Sequence, residues 1–156
     1  MKKVLLGILV GILVLVVGFY IAYSKAIHNE KVEYNEEIAY AEEYIEAFLD
    51  DIEVLQEGGT LEFEDFYFSV YNAGKSLNQW AHLYRDLKDM ERRLPADDFS
   101  FSVNDIHYLI IQLYCNAAEA YYFQGDRGSA ALQKKIGEDA ETVRNMMAEL
   151  CVPYDV

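Results

Sequence analysis

The chain has 156 residues, 53% hydrophobic and 14% aromatic, with 13 Lys and Arg against 27 Asp and Glu for a formal net charge of −14. Setting aside Lys2 and Lys3 leaves 11 basic against 27 acidic side chains, a formal −16, whose field repels nucleic acid and anionic lipid and argues against DNA or RNA as a partner. Beyond an apolar N-terminal run, about 130 residues remain, one domain's worth and enough to bury a core without metal or disulfide staples.

Val4 to Tyr23, VLLGILVGILVLVVGFYIAY, carries no charge. At helical rise its roughly 20 residues are just long enough to cross a bilayer's hydrocarbon core. Residues 1–24 therefore read as an uncleaved signal-anchor partnered by the lipid bilayer. Lys2 and Lys3 stand at one interface, and Phe19, Tyr20 and Tyr23 form an aromatic belt at the other. Ala22-Tyr23-Ser24 roughly matches a small-x-small cleavage pattern, so the alternative is a secreted product cut near Ser24. Lys25 and Lys31 nearly balance Lys2 and Lys3 under the positive-inside rule. The short N-terminus ahead of a signal-like run then sets the expected topology: a single pass through the cell membrane with the C-terminal domain outside the cytoplasm. Type IV pilins also run an apolar segment into a long helix, but their Gly-Phe processing site with a Glu shortly after is absent, since Gly7 and Gly11 precede Ile, Gly18-Phe19 lies at the far end of the run and no Glu occurs before Glu30.

Residues 25–152 read as an acidic four-helix bundle, followed by a tail at 153–156. In the first helix Tyr34, Ile38, Ala41, Ile45, Phe48, Ile52 and Leu55 alternate steps of four and three, the seam of an amphipathic, coiled-coil-like helix. Gly58-Gly59 stops it. Thr60 is the expected N-cap of a second helix, with its seam at Phe63, Phe66, Val70, Ala73, Leu77, Trp80, Tyr84 and Leu87, reaching Leu94 before Pro95. Gly74 predicts a kink or break in it. An antiparallel hairpin about Gly58-Gly59 would set Lys75, Arg85 and Lys88 level with Glu43, Glu33 and Glu30, and Arg92 and Arg93 at the membrane end. Pro95 to Phe101 reads as a turn, and Ser102-Val103-Asn104-Asp105 as a capping box opening the third helix. That helix uses Val103, Ile106, Ile110, Leu113, Ala117 and Ala120 and ends at Gly125. A fourth, from about Ser129, uses Leu132, Ile136, Ala140, Val143, Met147 and Leu150. The expected fold class is all-α: an N-terminal transmembrane helix leading into an antiparallel four-helix bundle.

Ala120-Tyr121-Tyr122-Phe123-Gln124-Gly125-Asp126 followed by Ala130-Ala131-Leu132 resembles the inter-helix turn of a tetratricopeptide repeat. The match covers one hairpin of about 30 residues with no second copy at the required period, and implies a tight helical hairpin, not a repeat array.

The pattern predicts no enzyme, no cofactor and no metal site. Di-iron bundles need inward Glu-x-x-His pairs, whereas Gln79 precedes His82 and Asn104 precedes His107 at that spacing. Asp98-x-Ser100-x-Ser102 has Val103 where a calcium loop needs Gly and Leu109 where it needs Glu. Gly-rich phosphate loops and GxSxG elbows are missing. His107 and Cys115, eight residues apart on one helix, stand about 12 Å apart along its axis. Cys115 and Cys151 fall on consecutive helices with an axial offset of about 20 Å, beyond disulfide reach.

The third helix departs from the simple amphipathic pattern. Opposite its seam it carries Tyr108, Ile111, Cys115, Ala118 and Tyr122 where charged residues are usual. Either it is the central helix, covered on most sides, or this second stripe docks a protein partner or a second copy of the chain. The first hairpin, longer than the second by about ten residues on this reading, would leave Phe48, Ile52, Phe63, Phe66 and Tyr67 poorly covered unless Gly74 bends the second helix or a partner covers them. The functional expectation is a membrane-anchored, non-enzymatic protein-interaction or scaffolding module. The alternative is a bundle that senses or binds a small molecule.

Overall fold

A computed structural model describes residues 2–91, 97–123, 128–151 and 153, with side chains described for 7–86, 103–123, 128–151 and 153. The fold is all-α, and no strand occurs among the described residues. Helix α1 spans Lys2–Glu57, α2 Phe63–Glu91, α3 Asp97–Ala118 with a π-helical turn Glu119–Phe123 at its end, and α4 Ala130–Leu150.

Helix α1 runs unbroken for 56 residues, about 84 Å at helical rise. Its apolar N-terminal part packs against nothing: every side chain from Gly7 to Ala26 is exposed. From Tyr34 onward the same helix buries its seam, and Tyr34, Ile38, Ala41, Ile45, Phe48, Ile52 and Leu55 all belong to the core. Gly58, at φ 95°, ends it. The Gly58 amide donates to Leu55 O at 3.3 Å and the Gly59 amide to Val54 O at 2.8 Å, the paired bonds of a Schellman turn, which needs the left-handed backbone glycine adopts without strain.

Helix α2 begins later than Thr60 suggests. Phe66 N donates to Glu62 O and the first helical residue is Phe63, so Thr60 and Leu61 belong to the connection. Tyr122 Oη donates to Leu61 O at 2.9 Å, holding that carbonyl outside the helix. Glu64 and Asp65 in the first turn face the positive end of the helix dipole. The expected break at Gly74 does not occur: α2 continues through it. Gly74 lies close to α3: a Cβ there would stand 3.4 Å from His107 Nε2, in ordinary van der Waals contact.

The third helix is helical from Asp97, so Ser102–Asp105 lies inside it and does not cap it. The C-terminal end of α3 and the π-helical turn cover Phe66, whose ring stacks on Phe48, Tyr114 and Tyr122 at centroid separations of 5.6, 5.4 and 5.7 Å. Phe48, Ile52 and Phe66 are thereby fully buried, whereas Phe63 and Tyr67 stay exposed. The expected turn Pro95 to Phe101 is helical over 97–101, while Pro95 itself, the arginines 92 and 93, Leu94 and the Gly125 end of the third helix fall outside the described residues. Helix α4 opens on Ser129, whose hydroxyl accepts from Leu132 N at 3.2 Å.

Each helix packs antiparallel on the next, α1 on α2, α2 on α3 and α3 on α4, and α4 returns to α1. Phe48 beside Phe66 and Tyr34 beside Trp80 set the first crossing. Arg144 sets the last, reaching Glu46 at 3.4 Å, Glu53 at 3.7 Å and Asp50 at 3.8 Å. Lys75 sits within Coulombic reach of Glu37, not level with Glu43 as a simple reflection about the glycine pair implies. One core draws on all four helices, with Trp80, Phe48, Phe66, Leu77, Ile106, Leu113 and Ile136 among its largest members.

Candidate functional site: an aromatic face on α2 and α3

Helix α2 carries Phe63, Phe66, Tyr67, Phe68, Val70 and Tyr71 within nine positions. A helix directs only part of its circumference at a core, and here Phe66 takes the buried position while Phe63, Tyr67, Phe68 and Tyr71 remain exposed. The antiparallel partner α3 brings up Tyr114, Ile111 and Tyr108, and the π-helical turn adds Tyr122 and Phe123. Phe63 meets Tyr122 at 5.2 Å and Phe123 at 5.7 Å, both edge to face. Tyr67 meets Tyr114 at 6.4 Å and Phe68 at 6.1 Å in the same geometry. With Tyr67 on Tyr114 and Gly74 on His107, the register places Tyr71 level with the buried Ile110, one position from the exposed Ile111. The result is a concentration of exposed aromatic and aliphatic side chains on α2 and α3.

Its extent is the notable quantity. Tyr108 is 66% exposed, Phe123 72%, Phe68 58% and Tyr71 54%, with Phe63, Tyr67 and Ile111 between 38% and 48%. At ~150–250 Å² per large side chain, these seven leave about 600–900 Å² in contact with solvent. The largest apolar patch on an ordinary monomer is about 300–600 Å², and one partner's share of a standard interface is about 800 Å².

The expected docking residues are divided by the tertiary structure. Tyr108, Ile111 and Cys115 are exposed on α3. Ala118 is buried, 4% exposed, and Tyr122 is half-buried with its hydroxyl committed to Leu61 O. A stripe at seven-residue spacing drifts about 20° per heptad around a straight helix, which carries the C-terminal part of this one under its neighbours. Phe63 and Tyr67 are exposed as the unequal hairpin lengths suggested, whereas Phe68, Tyr71 and Phe123 were not anticipated as surface. The signal for them was the local excess of aromatic residues over what a single seam can bury.

The electrostatics of the face are negative. Burial, followed by the carboxylates of Asp51 and Glu62, the neighbouring Tyr114 and then Asp65, pushes the Tyr122 phenol up to about 12. Tyr114 is raised, chiefly by burial. Asp51 is raised by burial and by Asp50 and Asp65, with the Ser69 hydroxyl acting the other way. Across Glu62–Gly74 and Val103–Phe123 there are five carboxylates, Glu62, Glu64, Asp65, Asp105 and Glu119, and no Lys or Arg.

Other features are smaller. Between α1 and α2 a cleft of about 150 Å³ is lined by Glu37, Tyr40, Tyr44, Asn72, Lys75, Ser76 and Gln79. Ser76 is 2% exposed and its hydroxyl has no hydrogen-bond partner. Between α1 and α4 an open groove of about 470 Å³ is lined by Glu42, Glu43, Glu46, Arg144 and Met147, among others. Both cysteines are free thiols; Cys151, half-buried beside Glu42, is pushed up to about 12 by burial and by that carboxylate. Among the described residues no group of three His, Cys, Asp or Glu side chains could hold a metal ion.

At the other end of the molecule, Phe19, Tyr20 and Tyr23 are exposed, and Phe19 and Tyr23 stack at 6.3 Å. The side chains of Lys2 and Lys3 lie outside the described set. By length and composition α1 contains a segment able to cross a membrane, none of it buried. Comparisons with protein-family models, with curated proteins and with solved structures found no match for this chain.

Proposed function

We propose that this chain is a membrane-anchored, non-enzymatic interaction module whose α2–α3 aromatic face docks a protein partner. The observation that carries the reading is the concentration of exposed large apolar side chains on α2 and α3, namely Phe63, Tyr67, Tyr71, Tyr108, Ile111 and Phe123. Keeping this much aromatic area in water is unfavourable by ~25 cal/mol per Å², and a partner removes that cost. Support for the anchor comes from the unbroken α1, in which the apolar segment and the core seam share one rigid rod. About 25 residues separate Tyr23 from Phe48, which lies beside Phe66 at the level of the face; at helical rise this holds the face about 40 Å beyond the apolar segment. On this reading the N-terminus is cytoplasmic and the helical domain lies outside the cytoplasm, with release by cleavage near Ser24 as the alternative.

Site-specific photocrosslinking in native membranes tests the docking face. Probes replacing Tyr71 and Tyr108 give one discrete adduct, and a probe replacing Glu36 on the outer side of α1 does not. Identical patterns from all three positions, or no adduct from the first two, would sink the reading. Protease shaving of intact cells, scored by loss of the C-terminal domain, tests topology and release together.

The second reading, small-molecule binding, has the α1–α2 cleft and the buried Ser76 hydroxyl in its favour. At about 150 Å³ it is smaller than the ~300–1,000 Å³ usual for ligand pockets, and the aromatic face is the better-supported site. Binding of a polar metabolite with protection of Asn72 and Ser76 amides would favour the cleft instead.

A further inference from the structure

We infer that the segment docking on the α2–α3 face is cationic and bears arginine. The inference rests on the docking reading above and specifies its chemistry.

Two properties of the face, present together, select this occupant. Aromatic rings attract cations through the negative potential over their faces. Tyr114 and Tyr122 are stacked on Phe66, which leaves Phe63, Tyr67, Phe68 and Phe123, paired edge to face and exposed, as the rings a cation can reach. By helical spacing Glu64 adjoins Tyr67 and Phe68 and Asp105 adjoins Tyr108, Glu62 and Asp65 lie within Coulombic reach of Tyr122, and neither Glu62–Gly74 nor Val103–Phe123 contains a Lys or Arg. The nearest cation on α2, Lys75, is turned into the α1–α2 cleft with Glu37. An apolar partner would bury the rings and leave the carboxylates desolvated and unpaired. An anionic one would be repelled. A guanidinium satisfies both elements, stacking its plane on a ring while its N–H groups reach a carboxylate, which an ammonium does less well.

The same observations dispose of the other occupants. A second copy presents the same carboxylates on a chain with 27 acidic against 13 basic side chains, and its α4 cations are engaged within their own chain: Lys134 with Glu138, Lys135 with Asp139, and Arg144 with Glu46, Asp50 and Glu53. The bilayer that α1 would enter is about 40 Å away along the helix axis, several Debye lengths at physiological salt, and its anionic headgroups have the wrong sign.

The test uses the full chain in nanodiscs of zwitterionic phosphatidylcholine, with empty discs as blank. The probe is a fluorescein-labelled octapeptide alternating Arg and Ser, followed by anisotropy. Replacing Arg by citrulline, which keeps the shape and removes the charge, weakens binding at least about ten-fold, and Lys falls between, as expected for ~1–2 kcal/mol cation–π contacts. E64Q with D65N, and separately Y67S with Y71S, each weaken the Arg peptide by about five-fold or more. E36Q with E43Q removes the same charge from the outer side of α1 and changes binding by less than about two-fold. All these side chains are exposed, and far-UV circular dichroism confirms folding. Should the tyrosine pair disturb the fold, the E64Q/D65N pair against E36Q/E43Q decides.

Equal binding of the citrulline peptide, equal loss from the E36Q/E43Q control, or no binding of the Arg peptide overturns the inference. A partner crosslinked at Tyr71 or Tyr108 through a segment without Arg or Lys overturns it too, while leaving the docking face in place. Absence of any crosslink from those positions removes the docking face itself.

Discussion

Tyr122 joins three parts of the molecule, and its replacement gives a sharp test of how the distal end is built. Its hydroxyl donates to Leu61 O at 2.9 Å, its ring stacks on Phe66 at 5.7 Å, and Phe63 meets it edge-on at 5.2 Å. Tyr122→Phe removes only the hydrogen bond, about 0.5–1.5 kcal/mol of stability. Tyr122→Ala also removes two ring contacts, ~0.5–1.5 kcal/mol each, and opens space over Phe66. For a half-buried ring the total is about 2–4 kcal/mol, below the ~3–5 of a fully buried aromatic. The two variants thus differ by about 2 kcal/mol, read as separate urea midpoints for the full chain in micelles.

The same residue has a pH signature. Its phenol is raised to about 12 in the fold against about 10 in an unfolded chain. The folded state favours the neutral form, so this stabilisation is complete below pH ~10 and is lost as pH rises through ~12. Tyr122→Phe should flatten that part of the stability profile as well as lower its plateau. If Tyr122→Phe unfolds at the wild-type midpoint and keeps the alkaline decline, the Leu61 bond does not hold the α1–α2 connection as described.

Three further outcomes are expected. Gly128→Ala destabilises by about 1–3 kcal/mol, because φ is +70° and the added Cβ would meet Leu132 Cδ2 at 2.8 Å and Ala120 Cβ at 3.3 Å; a wild-type melting temperature by calorimetry would contradict it. Ser129→Ala costs about 1 kcal/mol and Ser129→Gly only a few tenths, through loss of the bond to Leu132 N. Hydrogen exchange should accelerate in the first turn of α4 and not in α1. A maleimide at pH 7 modifies exposed Cys115 at least about ten-fold faster than Cys151, whose thiolate is suppressed by burial beside Glu42. Equal rates in the folded chain, resolved by peptide mass mapping, would refute the buried placement of Cys151.

Much of this architecture is legible in the order of the residues. The four-three spacing from Tyr34 to Leu55 and from Val103 to Ala120 names buried positions that the folded chain buries without exception, because a 3.6-residue period allows one stripe of a helix to face a core. The stop at Gly58-Gly59 and the cap at Ser129 are equally local, each a backbone need met by the residue in place. The uncharged run before Ser24 carries its meaning in its length.

What the tertiary structure alone decides is which flank of each stripe is covered. Phe63 belongs to the α2 seam by spacing and yet is exposed, while Ala118 belongs to the outer stripe of α3 and yet is buried. Periodicity locates a stripe relative to its own helix axis. Coverage depends on a neighbour's azimuth and axial register, here seen in Tyr114 against Phe66 and Tyr67 and in Gly74 against His107. The aromatic face arises from that register, since it needs Tyr67 of one helix beside Tyr114 of another, a proximity between distant positions that no local pattern encodes.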